Sequence, residues 1–194
     1  DVGISVDRGA DAAKAAADLI LRRRDLQVLH DGVIEGRRTH LNIRKYLRMG
    51  TSSNFGNMLS MAAAAALLPF LPMLPFQVLL NNLLYDLSEI AIPLDRVDED
   101  ELAAPQTFDL AALRRFMLVL GPLSSLFDLI AFAVLLKVFD ADPTLFRTAW
   151  FVESVATQVL VIFVIRTRRS PFASRPHPAL VATSLAVVAT AVAL

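Results

Sequence analysis

Apolar and polar positions divide this chain near residue 48. Before it they alternate on a short scale. Residues 2–6 form an apolar, β-branched run that predicts a buried strand. The Ala-rich stretch 10–17 predicts a helix, and 19–21 a second short strand, closed by Arg22, Arg23 and Arg24. Asp25 is placed to cap a helix start. Leu26, Leu29, Val33 and Ile34 then recur at helical spacing, and Ile43, Tyr46 and Leu47 continue the stripe. Gly32 and Gly36 weaken this helix without ending it. Strand–helix–strand–helix fits the edge of an α/β domain and is too short to be a domain alone.

Beyond residue 48 the pattern turns to long apolar runs. Residues 49–94 carry two charges, Asp86 and Glu89. As helix this stretch is about 70 Å long, enough for two crossings of a ~30 Å hydrocarbon core. Pro69, Pro72 and Pro75 break it in the middle, which predicts a helical hairpin over 45–68 and 76–94. Further spans are expected over 112–138, with Asp128 inside it, over 147–166, with Glu153, and over 178–194. The expected fold class is therefore mainly α: a multi-span transmembrane helical bundle preceded by a short α/β piece. Its parts are that piece at 1–24, a cytoplasmic stalk helix at 25–48 and a membrane domain at 49–194. A soluble helical protein would need polar faces on these helices, and they are nearly absent.

Composition agrees. The chain has 194 residues, of which 55% are hydrophobic, above the ~45–50% of soluble domains. Lys+Arg and Asp+Glu number 19 each, and this balance argues against a nucleic-acid partner. Without cysteine there is no disulfide scaffold and no thiolate metal site. Residues 1–48 hold 17 of the 38 charged residues. Basic residues favour one side: ten in 1–48, three in 95–115 and four in 166–177, against only Lys137 and Arg147 on the other. The positive-inside rule places residues 1–48 in the cytoplasm of a multi-pass protein, with the plasma membrane as the expected location. The chain opens without Met and ends inside an apolar run, which reads as a piece of a larger protein.

The candidate chemistry lies in 51–57 (TSSNFGN) and 81–89 (NNLLYDLSE), where polar groups fall inside two adjacent spans. Asn82, Asp86 and Glu89 share one helix face, and Asn54 and Asn57 share a face of the preceding helix. Gly56 beside them permits close approach. An ionised carboxylate within lipid costs several kcal/mol, on the order of 3 or more, and persists where something cationic or strongly hydrogen-bonding meets it. Amide and carboxylate oxygens converging between helices suit a hard cation such as Mg²⁺ or Ca²⁺. For Asn57 and Asn81, interhelical hydrogen bonding is an equal alternative. Glu89 is expected to reach the interface, and Asp128 to pair with Ser or Thr neighbours. The run Asp95, Arg96, Val97, Asp98, Glu99, Asp100, Glu101 reads as solvated, as do the stalk cations Arg37, Arg38, Arg44, Lys45 and Arg48. His30, His40 and His177 read as surface residues. No nucleophile–base constellation and no phosphate loop is present in the sequence.

DVGISV, GAD, AK and AD near the start, then EGRR, NI, KYL and SSNFGN, resemble the end of the phosphorylation domain and the fifth transmembrane helix of P-type cation-transporting ATPases. PFLPMLPFQVLLNNLLYDLSEIAIPLD, RFMLVLGPLSSLFD and WFVES are most similar to the magnesium-transporting branch. The resemblance implies a C-terminal portion covering helices five to nine, with residues 1–24 the remnant of a HAD-like phosphorylation domain. By position it implies cation ligands at Asn54, Asn57, Asn82, Asp86 and Glu153. Calcium pumps carry a glutamate where Asn57 stands, so the site here has less negative charge. The DKTGT and GDGxND motifs of the family are absent from these residues, so this portion alone is expected to be inactive and to have no catalytic residue. The implied partners are the actuator, nucleotide-binding and phosphorylation domains of the same polypeptide, the lipid bilayer, and Mg²⁺ as transported ion and with ATP in the intact enzyme. The implied activity is ATP-driven Mg²⁺ transport, inward. The alternatives are a pump for Ca²⁺ or H⁺ and a non-catalytic membrane interaction module.

Overall fold

The structure, a computed structural model, describes residues 2–23 and 25–194. Asp1 and Arg24, which enter the expectations above, lie outside them. The two short apolar runs form β1 (Ile4–Val6) and β2 (Leu19–Leu21), paired in parallel with Ile4 opposite Leu19. A crossover containing α1 (Asp11–Ala15) joins them, and the Asp18 carboxylate accepts from the Gly3 amide at 2.8 Å.

Asp25 caps α2 (Leu26–Leu67), its carboxylate accepting from the Gln27 amide at 2.8 Å. The helix runs 42 residues, about 63 Å at ~1.5 Å per residue. Gly32 and Gly36 lie inside it with nothing packed against them. It stops at Leu68, whose backbone is extended because Pro69 follows. Leu74 is extended before Pro75 for the same reason. Pro75 opens α3 (Pro75–Glu89) at a position where no amide hydrogen is needed. The expected end at residue 94 is not reached. Pro93 lacks the amide hydrogen that would bond the Glu89 carbonyl, so α3 ends at Glu89 and a 3₁₀ turn over Ile92–Leu94 follows.

A short α4 (Glu99–Leu102) leads to α5 (Leu110–Lys137), α6 (Pro143–Ile165) and α7 (Pro178–Ala193), so the described chain is mainly helical. Asp109 and Asp142 cap α5 and α6 through their carboxylates. By length and apolarity, α5 and α6 are the helices fit to cross a membrane among the described residues. At 15 and 16 residues, α3 and α7 fall short of the ~20 that a level span needs. Outward-facing Leu118, Val119, Leu126, Phe127 and Ile130 give α5 an apolar exterior.

α2 packs along α5, while α3 packs against α6 and α7. Gly56 and Gly121 make the first contact possible: a Cβ at Gly56 would stand 3.0 Å from the Gly121 carbonyl oxygen. Ser125 Oγ donates to the Gly56 carbonyl at 2.8 Å, tying the helices at their crossing. At one end of the bundle Phe132 meets Trp150 edge to face and Phe146 at a tilt, with Phe70 of the proline turn edge-on to Phe146 at 5.5 Å between centroids. Arg147 Nε donates to the Leu71 carbonyl at 2.8 Å and fixes that turn.

The other end is held by charge, against the expectation of a solvated acidic run facing a solvated basic stalk. Asp95 is 1% exposed. Its carboxylate receives Lys45 Nζ at 2.9 Å, Arg166 Nε at 3.2 Å and the His177 amide at 3.1 Å. Lys45 and Arg166 are buried as well, and Arg166 also donates to the Ser174 carbonyl at 2.8 Å. His177 is correspondingly no free surface group, since its ring caps α7 through the Ala179 amide. Arg37 donates to the Leu102 carbonyl at 2.9 Å. Asp98 is tied to Thr167 at 2.6 Å and to Ser174 at 3.1 Å. Partial burial opposes its charge, but these hydroxyls, with Arg169 and Lys45 behind them, prevail and hold its carboxyl below the ordinary range.

Two outcomes follow from this packing. Asp95→Asn leaves two buried cations without their counter-charge and is expected to cost about 3–5 kcal/mol, read as a lower unfolding midpoint in detergent. Gly56→Leu forces α2 away from α5 and is expected to cost about 1–3 kcal/mol by the same assay, whereas Gly32→Ala, in open space, costs nothing.

Candidate functional site

The polar string 51–57 has little to offer a ligand until its hydrogen bonds are counted. Thr51 and Ser52 donate back to the Leu47 and Arg48 carbonyls, both at 2.6 Å, so their hydroxyls are satisfied within the helix. Ser53 donates to the Tyr85 hydroxyl at 3.0 Å and is one of the few links between α2 and α3. What remains of the string is Asn54, Asn57 and the gap at Gly56.

α2 and α3 scarcely approach each other, because α5 draws one aside and α6 and α7 hold the other. The space between them is a hollow of about 600 Å³. Asn54 and Asn57 line it from α2, Asn81 and Asn82 from α3, and Trp150 and Ser154 from α6. A hydrogen-bonded net closes its wall. Ser154 Oγ accepts from Gln158 Nε2 at 2.7 Å and from Asn81 Nδ2 at 3.3 Å, and Gln158 Nε2 also reaches Asn57 Oδ1 at 3.5 Å. Asn81 Oδ1 and Gln158 Oε1 are buried and receive no donor. Both residues are 4% exposed, so water does not satisfy those oxygens from outside.

The five residues implied as ligands thus divide. Asn54, Asn57 and Asn82 meet at this hollow, Asn54 and Asn82 on its open side. Asp86, one turn further along α3, does not line it. It is exposed and faces a second hollow, beside Glu89, nearer the foot of the bundle. Glu89 is buried at 3% exposure, against the expectation that it reaches the interface. Glu153 points away from both hollows and lies against Asp128, which in turn accepts from Ser60 Oγ of α2. The Ser partner expected for Asp128 is therefore there, but the neighbouring carboxyl was not anticipated.

Sequence reasoning also passed over Ser154 and Gln158. Their signal was present: Ser154 and Gln158 are four apart within an apolar span and so lie on one face. Among the described residues no three His, Cys, Asp or Glu side chains converge, and the oxygen donors are neutral amides at the first hollow with Asp86 and Glu89 at the second. Such a set discriminates against soft metals and suits an oxygen-seeking cation that keeps part of its water.

Comparison with known proteins gives this geometry a context. The family described as "Cation transporting ATPase, C-terminus" matches residues 70–194. The chain is 50% identical over 199 residues to a magnesium-transporting ATPase, P-type 1, of Salmonella typhimurium strain LT2, covering 100% of this chain and 22% of that protein. It is 51% identical over 176 residues to a protein of the same description from Escherichia coli strain K12, covering 89% and 20%. A calcium-transporting ATPase of Bacillus subtilis strain 168 is 29% identical over 183 residues, covering 91% and 21%. The chain spans about a fifth of the length of these relatives.

The wall of the hollow gives a direct check. Ser154→Ala removes the acceptor of two buried amides and is expected to cost about 1–3 kcal/mol, read as a lower unfolding midpoint, while Ser154→Thr keeps the hydroxyl and loses less.

Proposed function

The chain belongs to the cation-transporting ATPase C-terminal family, and from that premise we propose that it forms the ion path of a P-type ATPase that moves Mg²⁺ across the cell membrane. Residues 49–194 are the transport domain. Residues 1–24 are the end of a HAD-like phosphorylation domain, and residues 25–48 are a cytoplasmic stalk. The parallel β1–β2 pair with exposed Val2, Ile4, Leu19 and Ile20 supports this, since those side chains need a covering body. The actuator, nucleotide-binding and remaining phosphorylation domains belong to the same polypeptide and carry the chemistry on ATP. Transport is inward, as the resemblance to the bacterial magnesium branch implies.

The observation that carries this reading is the hollow between α2, α3 and α6, where the amides of Asn54, Asn57, Asn81 and Asn82 interrupt a largely apolar lining of Met and Ala side chains. Mg²⁺ loses its water reluctantly and is usually held by one or two carboxylates with several waters kept. Asn54, Asn57 and Asn82 offer neutral oxygens to such an ion, and their amides can bond its waters. Asp86 supplies the charge as the ion passes. Glu153 lies against Asp128 outside this hollow and has no part in holding the ion there. With Asn57 in place of a carboxylate, the path offers Ca²⁺ too few anionic ligands for its usual six to eight oxygens.

The test uses the full-length protein in proteoliposomes with a Mg²⁺ indicator inside and out. ATP is expected to drive Mg²⁺ toward the side corresponding to the cytoplasm. Asp86→Asn is expected to slow this about tenfold or more, the loss of roughly 1.4 kcal/mol of ion stabilisation. Transport by Asp86→Asn at the wild-type rate, or transport of Ca²⁺ in place of Mg²⁺, overturns the assignment.

A further inference from the structure

The second hollow, at the foot of the gap between α2 and α3, has a volume of about 480 Å³. Thr39, Asn42 and Tyr46 line it from α2, Asp86 and Glu89 from α3, and the rest of its lining is isoleucine and proline, so its polar groups stand on an apolar floor. Its chemistry is one-sided. Asn42 is 3% exposed, and its Nδ2 donates to the Pro93 carbonyl at 3.0 Å and to the Asp95 carbonyl at 3.1 Å. Two carbonyls on one nitrogen fix the orientation of the amide, because turning it over would set oxygen against oxygen. Asn42 Oδ1 is thereby committed to the other side, where it is buried with no donor. Glu89 Oε1 is likewise buried with no donor. Two independent elements therefore leave unpartnered acceptors at one hollow.

No protein cation answers them. Among the described residues, every ion pair lies elsewhere, and neither Asp86 nor Glu89 takes part in one. The contrast with Asp95 is instructive. That carboxylate collects both Lys45 and Arg166, so those two cations are already engaged. A buried acceptor left bare costs about 1–3 kcal/mol, and more when charged. Two carboxylates with an amide oxygen and a hydroxyl beside them form a donor set for a hard divalent cation. The hollow has room for such an ion with its water, since six waters occupy about 180 Å³ at roughly 30 Å³ each.

The geometry points to a cation-holding station at the cytoplasmic mouth of the ion path, in which Glu89, Asp86 and Asn42 Oδ1 bind a partly hydrated divalent cation. It is separate from the amide hollow of Asn54, Asn57 and Asn82, with Asp86 standing between the two. For the identity of the ion and the side of the membrane it rests on the function proposed above. Glu89 is the carboxylate that belongs to this station alone. A cation held here meets carboxylates on the water side, where its hydration shell is replaceable, before or after it meets neutral amides deeper in.

The experiment titrates Mn²⁺, a spectroscopic stand-in for Mg²⁺, into the detergent-solubilised full-length protein without nucleotide, and counts free Mn²⁺ by electron paramagnetic resonance. Glu89→Gln keeps the shape of the side chain and removes only its charge. It is expected to lose one bound Mn²⁺ or to raise its half-saturation about tenfold, the equivalent of roughly 1.4 kcal/mol. Glu89→Asp keeps the charge on a shorter arm and is expected to fall between. Asn82→Leu, in the upper hollow, is expected to leave this Mn²⁺ in place. A Glu89→Gln titration that superimposes on the wild type overturns the station, as does an equal loss in Asn82→Leu. Either result leaves the transport assignment untouched, because that assignment fails only on the rate or ion of Asp86→Asn transport. If Glu89→Gln does not yield a monodisperse protein, Glu89→Asp decides: unchanged Mn²⁺ affinity overturns the proposal, and a weaker one supports it.

Discussion

The buried carboxylate of Asp95 is the interaction on which the rest of this structure depends. It gathers Lys45 from the middle of α2, Arg166 from the end of α6 and the amide of His177 at the start of α7. Three elements far apart in sequence thus share one anion. A buried charge cluster of this kind contributes little net stability, because desolvating the ions offsets most of their attraction. Its value lies in geometry. Any other arrangement of the helix feet strands a charge away from water, so α2, α6 and α7 have one permitted relative position. The same cluster engages Lys45 and Arg166, and among the described residues Asp86 and Glu89 take part in no ion pair.

From that anchor the open space between α2 and α3 follows. α2 is drawn to α5 by the glycine crossing at Gly56 and Gly121, and α3 is held by α6 and α7. Their tops are joined by the proline turn, which Phe70 and Arg147 pin to the aromatic end of the bundle. Two helices fixed at both ends and pulled to opposite partners leave a gap. Its walls combine apolar side chains with the amides of Asn54, Asn57, Asn81 and Asn82, and α6 supplies Ser154 and Gln158 as hydrogen-bonding partners.

Much of this was legible in the sequence. The long apolar runs, the prolines between them, the cap at Asp25 and the two short strands are local signals, and they appear as helices, turn and sheet close to their expected places. The face carrying Asn82, Asp86 and Glu89 was legible from spacings of four and three. What could not be read was partnership. Asp95 sits in a run of acids that composition alone assigns to solvent, and its partners lie 50 and 71 positions away. The same holds for Asp128 and Glu153, which look like isolated charges in separate spans until α5 and α6 pack. Nor does one helix face imply one site. Asn82 and Asp86 share a side of α3, yet one turn of rise separates the hollow each lines. The end of α3 at Glu89 was readable in principle from Pro93, and the apolar stretch around it concealed the signal.

The length of α2 joins these features into one device. A helix continuous from Leu26 to Leu67 behaves as a rod, because each backbone hydrogen bond couples residue to residue along its axis. Its N-terminal end leaves the β1–α1–β2 unit, its middle is held at Lys45, and Asn54 lies about 14 Å beyond that point at ~1.5 Å per residue. A displacement of the unit at its base must either break the Lys45–Asp95 contact or rock the rod about it. Rocking moves Asn54 and Asn57 against Asn82, across a gap that few direct contacts hold closed. Packed interfaces switch between discrete arrangements more readily than they deform. An anchored rod beside a loosely bridged gap is therefore suited to carry a change at the polar end of the molecule to the oxygens that line its interior.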